Sequence, residues 1–195
     1  MSIITRASKG SALTHAELDT NITENMQGGN LYTDSGAYSF GPNINYNICS
    51  MNASTVRARY ALRDITTTGG PAVFYFAFFG STNISLFGFQ SRFTTTSTNG
   101  QAFTRSGSNQ LTVSGPSAYM VPQTAVLEIE RARSTFGSGT TLYDFRFTAS
   151  SYTSSYQWIG SGRVLCDPSA YVTGIGFRMS GYSGTAYCTT GYTQV

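Results

Sequence analysis

What most constrains this chain is a change of period at residue 30. Before it the apolar residues recur at helical spacing, and after it they alternate with polar ones in short runs broken by Gly, Ser, Thr and Asn. Val56, Ala58, Tyr60 and Leu62 alternate with Arg57, Arg59, Ala61 and Arg63, the pattern of a strand with one buried and one wet face. Val73 to Phe79 is apolar on both faces, and NISLFGFQSRF follows after Gly80-Ser81-Thr82-Asn83. These two runs predict a central hairpin. Further strands are expected at Gln110–Val113, Ala125–Arg131, Thr141–Ala149, Tyr171–Met179 and Thr185–Tyr192. About eight strands with polar turns and no helical window between them predict an antiparallel two-sheet sandwich over 31–195. A jelly-roll topology is preferred to an immunoglobulin-like one, with strand order left open. No fixed-period repeat supports a solenoid, a propeller or a repetitive shaft.

Residues 1–30 form a separate element. Thr14 is a good N-cap, Glu17 stands at the capping-box spacing, and Leu13 and Leu18 occupy the two positions of a hydrophobic staple. Gly28-Gly29 supplies a stop, so a helix is expected from His15 to Met26, with Asp19 and Glu24 along it. Its apolar stripe, Leu18, Ile22 and Met26, is narrow. A helix of about 12 residues is marginal alone in water, so this one must pack against something. The abrupt Gly-Gly-Asn break favours copies of itself and a docking partner over its own β domain.

Charged residues make up only 11% of the chain, well below the roughly 25% usual in soluble proteins, while aromatics reach 14%. The aromatic content argues for a folded β protein with a polar, sparsely charged surface rather than a disordered chain. The net charge of +3 is scattered among carboxylates, so no basic footprint for nucleic acid exists. Cys49, Cys166 and Cys188 cannot all pair within one chain and show no CxxC spacing, which reads as buried thiols rather than a metal or exchange site. No signal-type or membrane-length apolar segment occurs, so synthesis in a cytoplasm, without an export signal or membrane insertion, is the expectation.

Catalytic candidates are few. The one histidine, His15, stands in the first turn of the expected helix, which disfavours serine- and cysteine-histidine chemistry. Asp64, Glu128, Glu130, Asp144 and Asp167 are the acids available for a glycoside-cleaving pair. Glu128 and Glu130 share a strand face, and neighbouring Arg131 and Arg133 make a solvated, charge-balanced face the simpler account. No cofactor or metal motif is present, and the expectation is a protein that is not an enzyme.

Tyr152, Tyr156 and Trp158 lie in a Ser-rich stretch and suit stacking on sugar rings, although their shared parity equally fits one buried strand face. The polar loops Thr94–Gln101 and Arg105–Gln110 are adaptable tips or ordinary surface.

The segment SKGSALTHAELDTNI resembles one that recurs near the start of phage tail-fibre and related virion proteins. The resemblance implies that Leu13, Thr14, His15, Glu17, Leu18, Asp19, Ile22 and, on the same stripe, Met26 belong to an attachment or oligomerisation element. The closing stretch YVTGIGFRMSGYSGTAYCTTGYTQV is similar to the last strands of phage β-sandwich domains, but has Gly176 where Arg is usual and runs past the usual Tyr-Gly-hydrophobic end. Together these imply a homotrimeric virion protein of tail-fibre type that binds other virion proteins by its N-terminus and presents its β domain to a host-surface glycan. A capsid decoration or head-fibre protein is the alternative, and a glycan-degrading tailspike domain the third reading.

Overall fold

The computed structural model describes residues 30–69, 73–93, 103–105, 109–114, 122–132, 139–151 and 157–194. The helix expected over 15–26 lies outside them. Twelve strands are present among the described residues: β1 (Asn30–Phe40), β2 (Asn45–Ser50), β3 (Thr55–Thr67), β4 (Val73–Gly80), β5 (Ile84–Phe93), β6 (Phe103–Arg105), β7 (Gln110–Ser114), β8 (Thr124–Arg131), β9 (Thr141–Ser150), β10 (Gln157–Cys166), β11 (Val172–Ser180) and β12 (Gly184–Gln194).

They form two packed antiparallel sheets. One is seven-stranded, in the order β1-β12-β3-β8-β9-β10-β5, and the other runs β2-β11-β4-β7 with the three-residue β6 on its edge. Four pairings nest inside one another: β1 with β12, β2 with β11, β3 with β8, and β4 with β7. Successive pairs alternate between the sheets, as in one long antiparallel ribbon folded over itself. β9, β10 and β5 then widen the first sheet.

The expected β4–β5 hairpin does not form. β4 pairs with β11 and β7 in one sheet, whereas β5 pairs with β10 at the edge of the other. β11 and β7 occupy both edges of β4, whose Phe74, Phe76, Ala77 and Phe78 are all buried, and β5 is taken up by β10. The link between them is pinned as a crossover, with Gly80 N–H donating to the Asn109 carbonyl and Ser81 N–H to that of Tyr171.

The core is an aromatic seam between the sheets. Phe76 stacks on Phe147 at 4.6 Å and lies 5.6 Å from Trp158, and Phe78 meets Phe145 at 4.8 Å. At the other end Phe177 contacts Phe40 edge-on at 5.3 Å. The Tyr60 hydroxyl, fully buried, crosses the seam to donate to the Gly176 carbonyl at 2.6 Å. Burial drives the Tyr60 pKa well above its ordinary value.

Two of the bulges keep this pattern in phase. Asp64, at φ 54, is the extra residue of β3 opposite β12, and it turns Ile65 back into the core after Leu62. At the second, β11 shifts register against β2 between Ile175 and Gly176. A Cβ on Gly176 would strike the Tyr46 carbonyl oxygen. Gly176→Ala is therefore expected to cost at least about 1–3 kcal/mol, because backbone rather than a flexible side chain must yield. Denaturant unfolding checks this: the midpoint should fall with an unchanged slope.

Candidate functional site

The outer face of the seven-stranded sheet carries most of the described charge. Inward positions of β3, β8 and β9 are taken by Ala58, Tyr60, Leu62, Ala125, Leu127, Ile129, Tyr143, Phe145 and Phe147, so the residues between them face out. Register then sets them in two rows across the strands. One row runs Arg57, Glu130, Asp144, Arg163, Phe87, and the other Arg59, Glu128, Arg146, Ser161.

Glu128 is the hub of the second row. Its Oε1 lies 2.5 Å from Arg57 Nη2 and 3.6 Å from Arg146 Nη2, and its Oε2 is 4.0 Å from Arg59 Nε. Arg163 Nε donates to Asp144 Oδ1 at 2.7 Å. The charge-balanced face expected around Glu128 and Glu130 is present, but its arginines come from adjacent strands. Arg131 instead donates to the Ala53 carbonyl at 2.6 Å and sits over the Tyr143 ring.

Of the five candidate acids, register brings Glu128, Glu130 and Asp144 together. They line one depression of about 260 Å³ with Phe145, Arg146 and Ser161. Asp64 stays apart at its bulge beside Arg63, and Asp167 at a turn where its N–H donates to Asn83. A glycan-cleaving acid works from an enclosed apolar setting. Asp144 is half exposed and ion-paired, and Glu128 is ringed by guanidinium groups.

A second hollow, of about 490 Å³, adjoins the first and is lined by Phe87, Gly88, Asp144, Phe145, Ser161, Gly162 and Arg163. Phe87 is 53% exposed. It faces out because it stands opposite Arg163, and because β5 holds an extra residue just beyond it, where Gly88 adopts φ 60. Phe87, Arg163, Arg146 and Ser161 were not identified from the sequence, and Arg57 and Arg59 were placed only on the wet face of a strand. The one local signal was a glycine inside an alternating strand.

Trp158, a candidate for glycan contact, belongs to the core instead: it is fully buried on the inner face of β10, 4.3 Å from Phe147. Tyr152 and Tyr156 themselves lie outside the described residues, as do the attachment residues Leu13, Thr14, His15, Glu17, Leu18, Asp19, Ile22 and Met26. The same holds for the loop Thr94–Gln101 and for residues 106–108 within Arg105–Gln110. Among the described residues no group of three or more His, Cys, Asp or Glu is placed to hold a metal ion.

The three thiols are buried, and none forms a disulfide. Burial raises the Cys49 thiol, with hydrogen bonds to Tyr192 and the Gly191 and Arg59 backbone working against it. Cys166 is pushed from 9.0 up to about 12, by burial first and then by neighbouring Asp167. Comparison with protein-family models, with curated proteins and with solved structures finds no match to this chain.

These thiols give a pH signature. In the unfolded chain Cys166 ionises near 9, while in the fold it keeps its proton to about 12. The unfolded state then binds fewer protons, so stability is full below pH 9 and is lost as pH rises toward 12. The thermal midpoint of a Cys166→Ser variant is expected to fall less steeply over that window than that of the unsubstituted protein.

Proposed function

We propose that the chain is a phage virion protein of tail-fibre type, acting as a homotrimer without catalysis. In this reading its N-terminal segment attaches it to other virion proteins, and its sandwich, a jelly roll, faces outward to a host-surface glycan. The observation that carries the reading is the SKGSALTHAELDTNI segment, whose capped helix start and narrow Leu18, Ile22, Met26 stripe suit burial against copies of itself around an axis.

The β domain supports it in three ways. The four nested strand pairs alternate between sheets as a jelly roll requires, an architecture shared by viral capsid and lectin domains. Of the outer-face carboxylates, Asp144 is half exposed and paired with Arg163, and Glu128 is paired with arginines of neighbouring strands, settings for recognition rather than for proton donation to a leaving group. Three copies would also multiply weak sugar affinities by avidity.

The test is the behaviour of particles. The chain is expected to co-purify with phage particles through a density gradient, and antibody to its β domain to label the tail end. Particles carrying Leu18→Asp with Ile22→Asp should lose the chain while the isolated variant keeps its far-ultraviolet β signature. Absence from purified particles would contradict the reading, and labelling over the head lattice would replace it with a capsid decoration role.

A further inference from the structure

Arg131 is a cation held in place without an acid. Arg57, Arg59 and Arg146 gather on Glu128, Arg163 pairs with Asp144 and Arg63 with Asp64, whereas among the described residues no carboxylate lies within ion-pair distance of Arg131. Its Nη2 donates to the Ala53 carbonyl at 2.6 Å and to the Tyr143 hydroxyl at 3.4 Å, and its guanidinium lies over the Tyr143 ring. Its Nε is buried with no hydrogen-bond partner. A guanidinium whose N–H leaves water without an acceptor is costly to keep, and an anion beside it offsets that cost.

The side chain lines a hollow of about 330 Å³ between the end of β8, the start of β9 and the turns that precede β3 and β11. The hydroxyl-bearing Thr141, Ser169 and Tyr171 and the apolar Ala132 and Leu142 line it too, and no carboxylate is among its described lining residues. Ala170 N–H donates to the Asp167 carbonyl at 2.9 Å, and in the turn so closed Ser169 takes φ 69. Asp167 itself does not line the hollow.

This is also the end of the sandwich from which the N-terminal segment leaves. Register sets Asn30, Thr193, Arg57 and Glu130 side by side across β1, β12, β3 and β8, and Arg131 is the next residue of β8. At about 4.8 Å per strand, the start of β1 is roughly 15 Å from β8. One interface of standard size, roughly 800 Å² per partner, spans that distance.

We infer that the hollow is a socket for an Asp or Glu side chain of the virion protein to which the N-terminal segment attaches. The inference rests on the attachment proposed above and adds a second contact to it. The carboxylate meets the planar fork of Arg131. Its methylene stem lies against Ala132 and Leu142, and the hydroxyls of Thr141, Ser169 and Tyr171 supply donors for the oxygen lone pairs left over. The arginines of the outer sheet face offer no such place, because Glu128 and Asp144 already neutralise them. A lone cation suits one acidic side chain, whereas a nucleic-acid or sulfated chain needs a row of them.

The experiment titrates the purified full chain onto particles made without it, at rising salt, alongside Arg131→Gln, Arg131→Lys and Ala53→Trp. Arg131→Gln removes the charge, Arg131→Lys keeps it, and Ala53→Trp crowds the socket from an exposed turn. Arg131→Gln and Ala53→Trp should each weaken binding at least ten-fold with little change in thermal midpoint, and Arg131→Lys should lose less. Salt should weaken the unsubstituted chain more steeply than Arg131→Gln. Full binding by both Arg131→Gln and Ala53→Trp would overturn the socket and leave attachment by the N-terminal segment standing. Equal loss in Arg131→Gln and Arg131→Lys, with one salt slope for all, would overturn the acidic occupant. Unchanged particle binding by Arg131→Gln, with loss of binding to a uronic- or sialic-acid glycan, would overturn the protein partner and give the hollow to a saccharide. No binding of the unsubstituted chain to such particles would overturn the attachment itself.

Discussion

The contact between Phe76 of one sheet and Phe147 and Trp158 of the other is the constraint on which the rest of the molecule depends. Each fully buried aromatic side chain contributes about 1.5–3 kcal/mol through removal from water, and a well-oriented ring pair roughly 0.5–1.5 kcal/mol more. A seam built of such rings fixes the phase of β4, β9 and β10 at once. With the inward positions of β9 and β10 set, Asp144, Arg146, Ser161 and Arg163 have no choice but to face out. The polar face is thus a consequence of the apolar one.

The seam also explains where the backbone departs from regularity. Tyr60 must reach the Gly176 carbonyl across the core, and the neighbouring β2 strand comes close enough there that only glycine fits. Asp64 takes a left-handed conformation so that Leu62 and Ile65, three residues apart, both point inward. These irregularities adjust each strand to a core whose ring positions are set from the opposite sheet.

Sequence reasoning recovered the elements whose own pattern is decisive. β3, β8 and β9 alternate cleanly, and β4 is apolar on both faces, so each lies close to where alternation placed it. β1, β2 and β10 went unseen because Gly, Asn and Ser interrupt their apolar positions, and tertiary packing rather than local propensity makes them strands; the three-residue β6 is too short to show a period. The β4–β5 hairpin was misjudged for a related reason: Gly80 to Asn83 is equally a hairpin loop and a crossover, and only β11 and β10 decide between them. For the site, Glu128, Glu130 and Asp144 were named as acids, but their company was not. Arg57 and Glu128 are 71 residues apart, and Arg163 finds Asp144 only through the β9–β10 pairing. Phe87 was expected only as part of a strand, and register with Arg163 sets it outward.

The proposed role has the outer face of the seven-stranded sheet turned to a host-surface glycan while the N-terminal segment holds the chain to a particle. Cryo-electron microscopy of the intact phage tests it most directly. The account predicts density at the tail or baseplate with residues 1–30 seated on the particle, and the face bearing Phe87, Asp144 and Arg163 open to solvent. Density that buries this face against the particle surface, or a particle without the chain, would contradict it.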